Sequence, residues 1–379
     1  MIVGAEDLVC PYLVVDDDAL THNIAAMARW CGERGVAIAP HAKTTMAPYV
    51  LRAQLAAGAW GLTVATVAQA RAVRALADVP LMIANQVVGA PEQTWLAGAP
   101  GEVLSWVDSV AQVDALAAAA EGRARPLDVL VEVGLSGGRA GTRRPDQARA
   151  LAQSVLMSRH LRLRGIAAYE GSYGTGPDPL ASVDRFLDRV EDVIRRIDAD
   201  GAFADERQVL VTAGGSLYFD RCVRLHALEL AGGRSTSLLL RSGCYALHDD
   251  GLYARTTPHA RGVPDAPPLR SAVAVVARVQ SRPEAGLVIL GAGRRDLAYD
   301  QDLPVLLSCR GGAVPVRGMS VDRLDDQHAY VRVPEESAVA VGDTVELGIS
   351  HPCSVLDRWR TFQLVRGGRI VRVEETWFP

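Results

Sequence analysis

Short apolar runs rich in valine, leucine and isoleucine recur along the first two-thirds of the chain. Between them stand longer Ala/Leu/Arg segments with apolar residues at helical spacing. The runs Ala37–Ala39, Leu62–Ala65, Pro80–Ala84, Val103–Val107, Leu127–Val133, Leu163–Ala168, Gln208–Thr212 and Thr236–Leu240 read as strands. Helices are predicted over Pro48–Ala57, Val67–Leu76, Ser109–Ala120, Pro145–Arg159 and Ala181–Ala199. Eight alternating units predict a (β/α)8 TIM-type barrel. The rival is an open doubly wound sheet, which would carry a glycine fingerprint after its first strand. Ala39-Pro40-His41-Ala42-Lys43 is not one.

The pattern then changes. Pro258, Pro264, Pro267 and Pro268 mark a crossing segment over Thr256–Arg270. Beyond it, Ser271–Val279, Gly286–Leu290, Val314–Met319, Ala329–Val333, Asp343–Leu347, Phe362–Val365 and Arg369–Glu374 read as short strands with almost no helical period. Residues 1–256 are therefore assigned to the barrel and 257–379 to an all-β domain, on which residues 1–11 can pack.

Composition adds one candidate feature, which chance survival of a single lysine would also explain. The chain has 379 residues, 49% of them hydrophobic, and a net charge of −4, which gives no basic excess for nucleic acid. Of 40 basic residues, Lys43 is the only lysine. Arginine replaces lysine as a surface charge but not as an amine that must lose its proton and attack a carbonyl. The start of the chain lacks a basic leader followed by an apolar stretch, and no run approaches the ~20 apolar residues of a membrane span. A cytoplasmic protein without membrane partners is expected. The six scattered cysteines do not form a disulfide framework.

In this fold, chemistry sits at the C-terminal strand ends. Lys43 falls just past the first barrel strand, where a Schiff-base lysine can be fixed and desolvated. Thr212-Ala213-Gly214-Gly215-Ser216 and Arg241-Ser242-Gly243-Cys244-Tyr245 follow strands seven and eight, the usual place for a phosphate cup. A lysine facing such a cup suits pyridoxal 5′-phosphate. Arg139 and Tyr169 are candidates beside the cofactor ring, each with an ordinary structural reading as turn or packing residue; Glu170, Tyr173 and Gln86 are weaker. Arg294, Arg295 and Asp296 read equally well as an ion-paired turn. His351 and Cys353 lie two apart after a strand and so share a face. Imidazole and thiolate suit zinc better than magnesium or calcium, in an open site completed by water and substrate. A bare His-x-Cys pair is also common by coincidence.

The run Pro40-His41-Ala42-Lys43-Thr44-Thr45-Met46-Ala47-Pro48, with Gln54-Leu55-Ala56-Ala57-Gly58-Ala59-Trp60-Gly61, resembles the D-serine dehydratase and D-threonine aldolase family, in its bacterial amino acid deaminase branch. His351-Pro352-Cys353-Ser354-Val355-Leu356-Asp357-Arg358 is similar to the metal-binding stretch of D-serine dehydratases. The resemblance implies an alanine racemase-type barrel with a C-terminal β domain, paired as a homodimer. It implies Lys43 as the cofactor lysine, His41 beside it, and backbone phosphate contacts around Gly214, Gly215, Gly243, Cys244 and Tyr245. It implies His351 and Cys353 as zinc ligands, and elimination of the β-hydroxyl from a D-3-hydroxy amino acid such as D-serine or D-threonine. Retro-aldol cleavage is the alternative. A racemase using Tyr299 or Tyr330 and a non-enzymatic cofactor carrier are further ones.

Overall fold

The structure, a computed structural model, describes residues 2–5, 7–174 and 176–379. In chain order, β1 (Tyr12–Asp16) and α1 (Asp17–Glu33) precede β2 (Ala37–Ile38), α2 (Pro48–Ala56), β3 (Leu62–Val64), α3 (Val67–Leu76) and β4 (Leu81–Gln86). Then follow α4 (Ala90–Gly98), β5 (Val103–Val107), α5 (Val110–Ala119), β6 (Leu127–Val133) and α6 (Pro145–Leu156). β7 (Leu161–Ala168), α7 (Pro179–Ala199), β8 (Gln208–Ala213) and β9 (Ser235–Leu240) complete the helix-bearing part.

Strands β2 to β9 form one parallel sheet in the order β2-β9-β8-β7-β6-β5-β4-β3. A parallel bridge between His41 and Thr63 joins its two ends, with Trp60 N–H donating to Ile38 and Thr63 N–H to Pro40. This is the (β/α)8 barrel. Ala39, Met82, Ala84, Leu104, Trp106, Leu130, Ala167 and Leu239 form one buried cluster. Gly165 has a positive φ, and a Cβ there would meet the Leu210 carbonyl at 1.8 Å, so only glycine lets β7 lie this close to β8.

The second sheet holds β10 (Val273–Glu284), β11 (Leu287–Leu290), β12 (Val305–Cys309), β13 (Ser320–Leu324), β14 (Ala329–Arg332), β15 (Thr344–Gly348), β16 (Thr361–Arg366) and β17 (Arg369–Glu375). Its order is β13-β14-β11-β10-β1-β16-β17, with β15 on β10 and β12 on β15.

Several elements differ from the sequence expectation. β1 was counted within the barrel, yet it lies in the middle of the second sheet, antiparallel to β10 and parallel to β16. Val3 bridges to Arg369, and Ile2, Ala5, Leu8 and Cys10 pack on the cluster of Tyr12, Val14, Ala274, Val276 and Val365. Val314–Met319 is not a strand. Pro315 has no N–H for a ladder, and Val314 makes only an isolated bridge to Cys309; the strand begins at Ser320 instead. α1, α4 and β12 were not anticipated. In α4, Pro91 lies in the first turn, where a missing N–H costs nothing.

The chain divides into two compact units. One holds the stretch up to Met27, Thr44–Ala57 and Cys244–Phe378; the other holds Ala28–Lys43 and Gly58–Gly243. The peptide bonds Lys43–Thr44 and Gly243–Cys244 are therefore points where the chain passes from one to the other. No helix among the described residues is long and apolar enough to cross a membrane.

Candidate active site

Within the barrel unit, candidate residues gather at the C-terminal strand ends. Thr63 donates its hydroxyl to Ala39 O at 2.7 Å, and this pins the strand that leads to His41 and Lys43. Lys43 sits half-buried in a short turn, Ala42–Thr44. His41 Nδ1 is buried without a hydrogen-bond partner. Burial, followed by the charges of Lys43, Arg241 and Arg139, holds the His41 ring well below the usual imidazole range, so it is neutral.

Arg139 lies 4.9 Å over the Tyr169 ring and 3.9 Å from Glu132. Glu132 is buried and accepts a hydrogen bond from Gln86; burial pushes its carboxyl pKa up. Gln86, read from sequence as a weak candidate, thus supports Glu132.

The glycine loop after β8 holds an unexpected partner. Gly214 N–H and Gly215 N–H donate to the Glu170 carboxylate at 3.1 and 2.6 Å. These are N–H groups that the sequence reading offered to phosphate, and in the structure they hold the Glu170 carboxylate. The loop is an anion cradle all the same. Gly214 has φ +87°, and a Cβ there would meet Leu240 Cδ2 at 2.3 Å.

Thr212 is fully engaged as well. Its hydroxyl donates to Leu239 O at 2.9 Å and accepts from Arg241 at 2.6 Å. Arg241, which sequence reasoning passed over, is 5% exposed, bonds Ala168 O at 2.7 Å and lies 4.8 Å from the centre of the Trp106 ring. Burial lowers its pKa, opposed by Glu170 and Glu132. The signal that could have found it is an arginine ending the wholly apolar run Leu238–Leu240.

The second unit carries the sulfur and imidazole groups. Ligand atoms of Cys244, His351 and Cys353 all lie within 4.8 Å of one another, and the two sulfurs are 3.2 Å apart. Thr44 Oγ1 lies 3.4 Å from Cys353 Sγ. His351 Nδ1 bonds Asp300 Oδ2 at 2.6 Å, which leaves Nε2 as the ligand atom. Ser354 donates to the other oxygen of Asp300. Asp300 had no sequence signal, since it lies in an aperiodic turn 51 residues before His351.

Burial lowers the His351 pKa, but the Cys244 thiolate and Asp300 outweigh it and raise the ring to about 9. Cys244 is held well below the usual thiol range, chiefly by its bond with Cys353, against burial, with help from His351 and Tyr253. These groups fit a divalent metal: two sulfurs and one nitrogen converge, and a carboxylate backs the imidazole. Tyr245 is buried, and its hydroxyl accepts from Gln54 at 3.1 Å.

Ser216 follows the cradle at the start of the turn after Gly215, and Gly243 stands between Ser242 and Cys244. Tyr330 donates to Asp325 at 2.9 Å and packs under Arg323, while Tyr299 is 44% exposed. Arg294 N–H donates to Asp325 O and Arg295 N–H to Asp326 O; Asp296 caps Gly293 N–H at 2.9 Å, so this run is a turn.

A lysine just past a strand end in a (β/α)8 barrel, beside a neutral imidazole, suits pyridoxal phosphate chemistry. The comparisons agree. Residues 15–224 match the family model "Alanine racemase, N-terminal domain", and residues 272–365 match the "Putative serine dehydratase domain". The first covers more than half of the chain, which therefore belongs to the family of the alanine racemase N-terminal domain.

The chain is 29% identical to D-threonine aldolase of Arthrobacter sp, covering 97% of this chain and 91% of that one. It is 32% identical to D-threo-3-hydroxyaspartate dehydratase of Delftia sp. (strain HT23) over 43% of each. The crystal structure of D-threonine aldolase from Filomicrobium marinum superposes with a TM-score of 0.80 at 27% identity, covering 98% and 95%. The protein is a pyridoxal phosphate-dependent lyase, and its Cys244, His351 and Cys353 side chains could hold a metal ion.

Proposed function

We propose that the protein eliminates the β-hydroxyl of a D-3-hydroxy amino acid, giving a 2-oxo acid and ammonia. The observation that carries this reading is the His351–Cys353 pair with Asp300 fixed on His351 Nδ1 at 2.6 Å. Pyridoxal phosphate, when bound, supplies the electron sink that acidifies the substrate's Cα–H. The metal, when bound, supplies the Lewis acid that helps an oxygen leave from Cβ.

The chain's own residues do the rest. Lys43 Nζ is the amine that would hold the cofactor, and it would take the substrate's α-proton as general base. His351 Nε2 and Cys353 Sγ hold the ion, and zinc suits that soft pair. Asp300 fixes the His351 tautomer. Neutral His41 offers a buried ring nitrogen beside Lys43 without adding charge. Arg139, stacked on Tyr169, would face the cofactor ring. With Gly214 and Gly215 N–H given to Glu170, the backbone of Ser216 and Gly243 would take up the phosphate. Loss of water across Cα–Cβ leaves an enamino acid, which hydrolyses to the 2-oxo acid and ammonia.

A second reading is retro-aldol cleavage to glycine and an aldehyde. Its support is the 29% identity to a D-threonine aldolase over 97% of this chain. We place the working enzyme as a homodimer in the cytoplasm.

The test of the substrate class is a panel of D- and L-amino acids with and without a 3-hydroxyl. Turnover is expected only for D-isomers bearing the hydroxyl. Equal turnover of D-alanine, or of L-isomers, would overturn the reading.

A further inference from the structure

We propose that Cys244 is a third protein ligand of the metal, so that the ion sits in a two-sulfur, one-nitrogen set with a single position left for a substrate oxygen. The inference rests on the reading of His351 and Cys353 as ligands and adds a residue to it.

Three observations carry it. First, the geometry is convergent. The Cys244 and Cys353 sulfurs are 3.2 Å apart, and both lie within 4.8 Å of a His351 ligand atom. A tetrahedral zinc ion takes sulfur at about 2.3 Å and imidazole nitrogen at about 2.0–2.1 Å, which requires ligand atoms gathered this closely. The separation is too long for a disulfide, whose sulfurs lie about 2.05 Å apart.

Second, Cys244 reaches the site from a part of the chain remote from His351 and Cys353. Cys244 opens the turn Cys244–Ala246, His351 follows β15, and Cys353 lies in the turn Pro352–Ser354. A thiol filling space in a core packs against apolar neighbours. Cys244 instead directs its sulfur at another sulfur and an imidazole.

Third, the surroundings complete the set. The Thr44 hydroxyl lies 3.4 Å from Cys353 Sγ and 4.0 Å from Cys244 Sγ, placed to hydrogen-bond thiolates. Asp300 holds the far side of the imidazole.

Two consequences follow. Two thiolates and an imidazole are soft ligands, which favour zinc over magnesium and manganese. Two thiolates also balance the +2 charge, and a Cys2His set with one open position is an established way to present zinc to an alcohol oxygen. A β-hydroxyl is such an oxygen. Without Cys244, two ligands would leave the ion two open positions and a weaker hold.

The test is X-ray absorption at the zinc edge on the zinc-loaded holoenzyme, with Cys244→Ser and Cys353→Ser beside it. The native protein is expected to show two sulfurs at about 2.3 Å, and each variant one. Losing an outer-shell partner alone costs about 10–100-fold in metal affinity, so Cys244→Ser should weaken zinc at least about tenfold against a competing chelator. A native spectrum with one sulfur, or an unchanged Cys244→Ser, overturns the inference. If Cys244→Ser does not fold, the native sulfur count alone decides. One sulfur that disappears in Cys353→Ser leaves the proposed function standing and removes only Cys244. A native protein that retains no metal removes both.

Discussion

His351 Nδ1 and Asp300 Oδ2 are 2.6 Å apart, although 51 residues separate them in the chain. The bond fixes the imidazole tautomer and aims Nε2 at the two cysteine sulfurs. Asp300→Asn should therefore weaken metal binding by about 10–100-fold while leaving the cofactor's absorbance intact. Titration of metal into the apoprotein, with activity restored by excess metal, checks this.

The same pair sets a pH dependence. In the metal-free protein the His351 ring ionises at about 9, above its usual 6.5. Its contribution to metal-free stability is full below pH 6.5 and is lost as the pH rises through about 9. Metal must displace that proton, so binding at neutral pH should release it along with any thiol protons, and the total should fall as the pH rises through about 9. Calorimetry in buffers of different ionisation enthalpy measures the count. A constant count across that range would contradict the assignment.

Arg241 is a buried cation at a barrel strand end, bonded to Thr212 and Ala168 O. Removing it leaves both acceptors and two nearby carboxylates, Glu132 and Glu170, without its charge. Arg241→Ala should cost about 3–5 kcal/mol in denaturant unfolding. A cost under about 1 kcal/mol would show that the interior relaxes around the gap.

Glu170 accepts two backbone N–H bonds from the Gly214–Gly215 loop. Glu170→Gln keeps the shape but turns an amide donor toward one of those N–H groups. We expect a stability loss of about 1–3 kcal/mol and weaker cofactor retention on dialysis. Wild-type stability in the variant would show that the cradle does not depend on the carboxylate.

Much of this was legible in the sequence. Lys43 stood out because an arginine-rich chain kept one lysine, and the barrel because β-branched runs alternate with helical ones. His351 and Cys353 were readable from a spacing of two. Partners that meet only in three dimensions were not. Cys244 and Cys353 are 109 residues apart, and Glu170 meets the glycine loop 44 residues on. Tyr12–Asp16 is not among the strands read from sequence, and local pattern does not say which sheet would receive it. That sheet is chosen by pairing with β10 and β16, more than two hundred residues away.

The most direct test of the central claim is the product balance from a D-3-hydroxy amino acid such as D-threonine, with and without chelator. The account predicts one ammonia for each 2-oxo acid, no glycine, loss of activity on chelation and recovery with zinc. Glycine and aldehyde in equal amounts, or undiminished turnover after the metal is removed, would contradict it.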